Sequence, residues 1–222
     1  MQSGRSLVAA PFLLLLLLVL GSPDALAGGS AEHAASAEAA ETTGSAAGTE
    51  SGAGAEALDA DSRQRVREIA VALGFAPFDE PLYWADTTVL DLDGGETGLH
   101  AWSDRVVLLH FWATWCPSCL TEMPSIERLQ QSVDRERAAF LAVNLGEPET
   151  LVNRWLSQNP FDFPIVLNPS GSVGGLYSVW AMPTTYLVGA DGYIYAIRPG
   201  AHIWDNPAYP ELLDELYELT TG

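Results

Sequence analysis

The residues from Val106 to Trp112 are apolar at every position except His110, and Cys116-Pro117-Ser118-Cys119 comes shortly after that run ends. A strand with one wet face would alternate, so an unbroken run predicts a central strand covered on both sides. A helix is expected from about Pro117 into the 130s, kinked at Pro124. A buried strand that delivers a CxxC to a helix start restricts the chain to architectures in which helices cover both faces of a sheet.

The remaining pattern extends that frame. Asp61 is expected to cap a helix ending at Leu73, where Gly74 stops it. Thr88–Leu92 and Thr97–Ala101 read as strands of a hairpin across Asp93-Gly94-Gly95. Further strands are expected at 139–145, 165–167, 184–188 and 193–198, with helices at 148–158, 174–180 and 210–219. The expected fold class is α/β. It has a mixed central sheet flanked by helices, and it ends in an antiparallel hairpin and a helix.

Composition divides the chain. No aromatic residue occurs between Phe12 and Phe75, and every tryptophan lies beyond that gap, so the packed core belongs to the later residues. Residues 1–27 read as a secretory signal or an uncleaved anchor. Arg5 precedes the apolar run Leu7–Leu20, which is short of the about 20 residues of a spanning helix, and Ala25-Leu26-Ala27 offers a cleavage site. Residues 28–57, rich in Ala, Gly, Ser, Thr and Glu, read as a flexible linker without the apolar surface to offset ordering. Residues 58–75 form an N-terminal helix, and 76–222 the main domain. The formal net charge is −19 and all ten basic residues are arginines. Such a surface repels phosphate backbones, so no nucleic-acid partner is expected.

The 222 residues contain only two cysteines, three apart. That is too few for a disulfide framework, and zinc would need two further ligands at suitable spacing, so no metal is expected. The bland alternative is an inert thiol pair. The chemical reading follows from position. At a helix N-terminus, unpaired N–H groups and the helix dipole stabilise a thiolate and make it a nucleophile. Cys116 is then the attacking thiol, and Cys119, deeper by one turn, resolves the mixed disulfide. Trp115 would shield one side, Pro117 removes one N–H donor, and Ser118 supplies a hydroxyl. Glu122, three residues beyond Cys119, falls on the same helix face and could move the proton of Cys119.

The segment Phe111-Trp112-Ala113-Thr114-Trp115-Cys116-Pro117-Ser118-Cys119 resembles the thioredoxin signature. With Leu120-Thr121-Glu122-Met123-Pro124 it resembles the TlpA/ResA/DsbE branch. A second segment, Met182-Pro183-Thr184-Thr185-Tyr186-Leu187-Val188 with Asp191-Gly192 and Gly200-Ala201, agrees with the same branch. The resemblance implies a thioredoxin-like fold with an N-terminal hairpin and a central helix–strand insertion around 148–176. It implies that Pro183 is a cis-proline facing the CxxC. The Met182 backbone beside it would be free to pair with substrate, and Thr184 would start the supporting strand. His110 departs from thioredoxins, which carry a buried aspartate there. It is either a proton relay or a hydrogen-bonded core histidine. His202 and Trp204 are expected at the site rim and His100 on a surface strand.

The function this implies is an exported thiol–disulfide oxidoreductase. It would reduce disulfides of periplasmic or extracytoplasmic proteins, as in cytochrome c maturation, with no cofactor beyond the Cys116–Cys119 pair. Its partners would be an exported disulfide-containing or apocytochrome-type protein and a membrane thiol reductant. A disulfide oxidant or isomerase is the alternative in the same class. A copper-binding chaperone is the alternative in another, although copper relatives have CxxxC and this chain has CxxC.

Overall fold

The computed structural model describes residues 58–221 apart from residue 86. The expected signal and linker lie outside the described residues. The helices are α1 (Ala60–Ala72), α2 (Pro117–Ser132), α3 (Glu149–Gln158), α4 (Ser172–Leu176) and α5 (Tyr209–Thr220). The strands are β1 (Ala76–Tyr83), β2 (Thr88–Leu90), β3 (Glu96–Gly98), β4 (Val106–Trp112), β5 (Ala138–Leu145), β6 (Ile165–Asn168), β7 (Thr184–Val188) and β8 (Tyr193–Pro199). They form one eight-stranded sheet in the order β1-β8-β7-β4-β5-β6-β2-β3. β4, β5 and β6 run parallel, and the other neighbouring pairs are antiparallel. This is the expected mixed sheet, with the CxxC strand at its centre.

Every residue of β4 is buried. Val106, Leu108 and Trp112 pack in one cluster with residues of α1, α2, α3 and α5, including Ile69, Ile126, Val152 and Leu216. Val107, Leu109 and Phe111 pack in the other, with Trp84, Leu99, Val173 and Tyr177. Strand side chains alternate in direction, so a strand covered on both faces is apolar at both parities. His110 shares the parity of Leu108 and Trp112, which aims it at the layer containing α2.

Four local expectations are corrected. The cap of α1 is Asp59, whose side chain accepts from Ser62 N at 2.7 Å, and Asp61 lies inside the first turn. No element was expected at β1, a segment that holds Pro77, Asp79, Glu80 and Pro81. It is an edge strand with an irregular register between Pro77 and Leu82, the place where a sheet tolerates proline. The latter part of the strand expected at Thr97–Ala101 is instead a 3₁₀ turn, Leu99–Trp102, which carries His100. α4 begins and ends earlier than expected, with the Gly174-Gly175 pair inside it. Among the described residues no helix is long and apolar enough to cross a membrane.

Candidate active site

Cys116 is the N-cap of α2 and Pro117 its first residue. The two cysteines are joined as a disulfide with Cα atoms 5.3 Å apart. Cys116 Sγ accepts from Cys119 N at 3.2 Å and lies 3.4 Å from Ser118 Oγ. One backbone donor and one hydroxyl therefore face the attacking sulfur, as a proline-containing CxxC allows. Cys116 is 5% exposed and Cys119 is fully buried. The outer sulfur is the one that an incoming group can reach. Trp115 is 65% exposed beside it. Pro117 and Ser118 are exposed too.

Met182-Pro183 is a cis peptide. Gly200 N donates to Pro183 O at 2.8 Å, and Gly200 holds φ +83°, a conformation that favours glycine. Thr184 Oγ1 donates to Ala181 O at 2.8 Å, tying the strand start back onto the same loop. Met182 is half-buried against the main cluster.

The structure brings into contact the two residues that the sequence offered as handlers of the Cys119 proton, one from the helix and one from the strand. His110 Nε2 and Glu122 Oε1 lie 3.2 Å apart, with both side chains out of solvent. Their angles are not those of a hydrogen bond, and neither atom has another partner among the described residues. The other atoms of each group are held. His110 Nδ1 contacts Thr185 Oγ1 at 3.0 Å, the residue opposite it in the β4–β7 register. Glu122 Oε2 accepts from His202 N at 2.7 Å and Trp204 Nε1 at 3.3 Å. Burial pushes the Glu122 carboxyl up to about 7, against the lowering effect of those two donors and Arg198. Burial pushes the His110 imidazole down to about 3. At neutral pH the pair is therefore a neutral imidazole beside a carboxyl poised between its two forms, rather than a permanent ion pair.

One expectation about the rim is corrected. Trp204 is buried in the core against Phe75 and Phe140, and its N–H serves Glu122. Position after a glycine suggested a rim, but its ring area favours burial. His202 is half-buried, its Nε2 at 2.7 Å from Tyr209 Oη. Sequence reasoning missed Glu147 entirely. The residue is 4% exposed, and its carboxyl accepts from Thr114 N at 2.6 Å, Thr114 Oγ1 at 2.5 Å and Asn144 Nδ2 at 2.7 Å. A glutamate in a Gly-Glu-Pro turn reads as solvated, and only the fold brings it under the CxxC loop. Among the described residues no cluster of His, Cys, Asp and Glu could hold a metal.

A disulfide at the head of a helix, with a cis-proline directly before the antiparallel neighbour of the strand that leads to it, defines a thioredoxin-like redox domain. The profile of the AhpC/TSA family matches residues 84–197. The chain belongs to that family, and the relatives it matches are named thiol-disulfide oxidoreductases. It is 35% identical over 115 residues to the thiol-disulfide oxidoreductase ResA of Geobacillus thermodenitrificans, covering 52% of this chain and 66% of that one, just under two thirds of the relative's length. It is 31% identical over 144 residues to the ResA of Halalkalibacterium halodurans, covering 60% of this chain and 81% of that one. A crystal structure of a candidate thiol:disulfide interchange protein DsbE from Chlorobium tepidum superposes with a TM-score of 0.54 at 27% identity, covering 65% of this chain and 99% of that one.

Proposed function

We propose that the protein is an extracytoplasmic reductant of protein disulfides, of the kind that keeps an apocytochrome-type cysteine pair reduced. The Cys116 thiolate attacks a substrate disulfide, forms a mixed disulfide and expels one substrate thiolate. Cys119, once deprotonated, attacks the Cys116 sulfur and expels the second. Two electrons pass to the substrate, each released thiolate takes up a proton, and the protein is left with the Cys116–Cys119 disulfide. A membrane thiol reductant then restores the dithiol. The secretory-type residues 1–27 support an extracytoplasmic site of action.

The observation that carries the direction is the weak provision for a thiolate. Strong oxidants owe their potential to a stabilised reduced form. Here Cys116 Sγ meets one N–H and one hydroxyl, and the side chain one turn beyond Cys119 is a buried carboxyl. A carboxylate there opposes a second negative charge. The test is the reduction potential of the pair, by equilibration with glutathione or a thioredoxin. A value of about −270 mV or below is expected, and one of about −120 mV would overturn the reductant reading in favour of an oxidant.

A further inference from the structure

We propose that Glu147 is a positioning residue for Cys116: its carboxyl latches Thr114 and so fixes the loop that sets the attacking sulfur at the head of α2. Ala113, Thr114 and Trp115 connect β4 to Cys116. The turn closes on itself, with Cys116 N donating to Ala113 O at 3.2 Å. Trp115 points largely to solvent and offers the turn little anchorage. Thr114 is its tether, because both the N–H and the hydroxyl of that residue end on the two oxygens of Glu147.

The other end of the latch is itself held. Asn144, the last but one residue of β5, sits opposite Trp112 in the parallel register and donates its amide to Glu147 Oε2. Gly146 turns the chain at φ +73°, and its N–H donates to Asn168 O on β6 at 2.9 Å. Pro148 then caps α3. Glu147 is therefore fixed to the strand layer on one side and to the CxxC loop on the other. The central insertion and the nucleophile are joined through one carboxyl.

The consequence is chemical because a helix N-terminus stabilises charge only within its first turn. A Cys116 sulfur that drifts from that position loses its backbone donor and becomes a poorer nucleophile. The inference rests on Cys116 being the attacking thiol, but not on the direction of electron flow.

Position and charge give opposite signs, which makes the test decisive. The readout is the alkylation rate of the reduced protein with iodoacetamide across pH, with the adduct mapped by mass spectrometry and folding checked by circular dichroism. In Glu147→Ala the midpoint for Cys116 should rise by about one pH unit, and the rate at pH 7 should fall about tenfold, as for a displaced helix-terminal thiolate. Glu147→Gln retains an oxygen for Thr114 N and Asn144 and gains an N–H for the Thr114 hydroxyl, so it should restore the wild-type midpoint. If the carboxylate acted by its charge instead, both variants would lower the midpoint, and that result overturns the latch. Thr114→Val should raise the midpoint by a smaller amount, and adding it to Glu147→Ala should change nothing more, since both act through one contact. Additive effects would overturn the proposal. Should Glu147→Ala not fold, Thr114→Val and Glu147→Gln decide: a wild-type midpoint in Thr114→Val, or a lowered one in Glu147→Gln, overturns it. An adduct on Cys119 would overturn the site reading and the latch together, whereas a wild-type midpoint in folded Glu147→Ala overturns the latch alone.

Discussion

His110 and Glu122 carry opposite proton linkages to folding, and their contact makes each one measurable. Folded Glu122 keeps its proton to about pH 7, whereas an exposed glutamate loses it near 4.5, so its contribution to stability falls as pH rises through that window. Folded His110 is neutral above about pH 3, whereas an exposed histidine is protonated below about 6.5, so its contribution rises with pH through that second window. Between pH 4.5 and 6.5 the two slopes oppose one another, each at most about 1.4 kcal/mol per pH unit for one proton. Urea denaturation across this range should show stability climbing more steeply with pH in Glu122→Gln than in wild type, and His110→Asn should shift the slope the other way. Parallel curves in all three proteins would mean that the pair does not carry the dependence. In catalysis, Glu122→Gln should slow resolution by Cys119 more than the first attack by Cys116, because only the buried thiol lacks solvent as a proton acceptor. Rapid mixing with a small disulfide separates the two steps, and equal slowing of both would reduce Glu122 to a packing residue.

At the scale of elements, α2 assigns different fates to the two sulfurs. Cys116 lies at its cap and Cys119 one turn inside, fully buried. Cys119→Ser should accumulate mixed disulfides with substrate proteins on non-reducing gels, and Cys116→Ser should not; trapping by Cys116→Ser would reverse the assignment. Elements that announce themselves by period were legible in the sequence. β4 and β5 are covered on both faces and read as apolar runs broken only by His110 and Asn144, and the helix expected at 210–219 is α5, with Leu213 and Leu216 buried. β1 was hidden because an edge strand can hold prolines and charges that a central strand cannot. The site divides along the same line. Cys116, Cys119 and Pro183 belong to contiguous motifs, so their neighbours could be read from the chain. The His110–Glu122 contact and the Glu147–Thr114 latch join different elements, and no local spacing encodes them.

The molecule as a whole poses the question of where its folding unit begins. Residues 1–57 bring almost no large apolar side chain beyond the Leu7–Leu20 run, so a chain starting at Leu58 should keep both its stability and its insulin-reducing activity. α1 is a different matter, although it too precedes the sheet. It buries Val66, Ile69, Ala70 and Leu73 in the cluster that holds Leu213 and Leu216 of α5. Its C-terminal turn also reaches the site layer, since Arg198 of β8 donates to Gly74 O and Phe75 packs on Trp204, the donor to Glu122. The exposed Arg65–Glu215 pair adds little to this docking. Burial of three large aliphatic side chains is worth roughly 5 kcal/mol, the lower end of the whole stability of a domain of this kind. A chain starting at Ala76 should therefore be unfolded or marginal in urea titration while the chain from Leu58 behaves as wild type. If it folds with reduced stability, its Trp204 should sit in a wetter environment, and the pH at which Glu122 titrates should fall as desolvation weakens. Equal stability of the two chains would show α1 to be an appendage rather than part of the core.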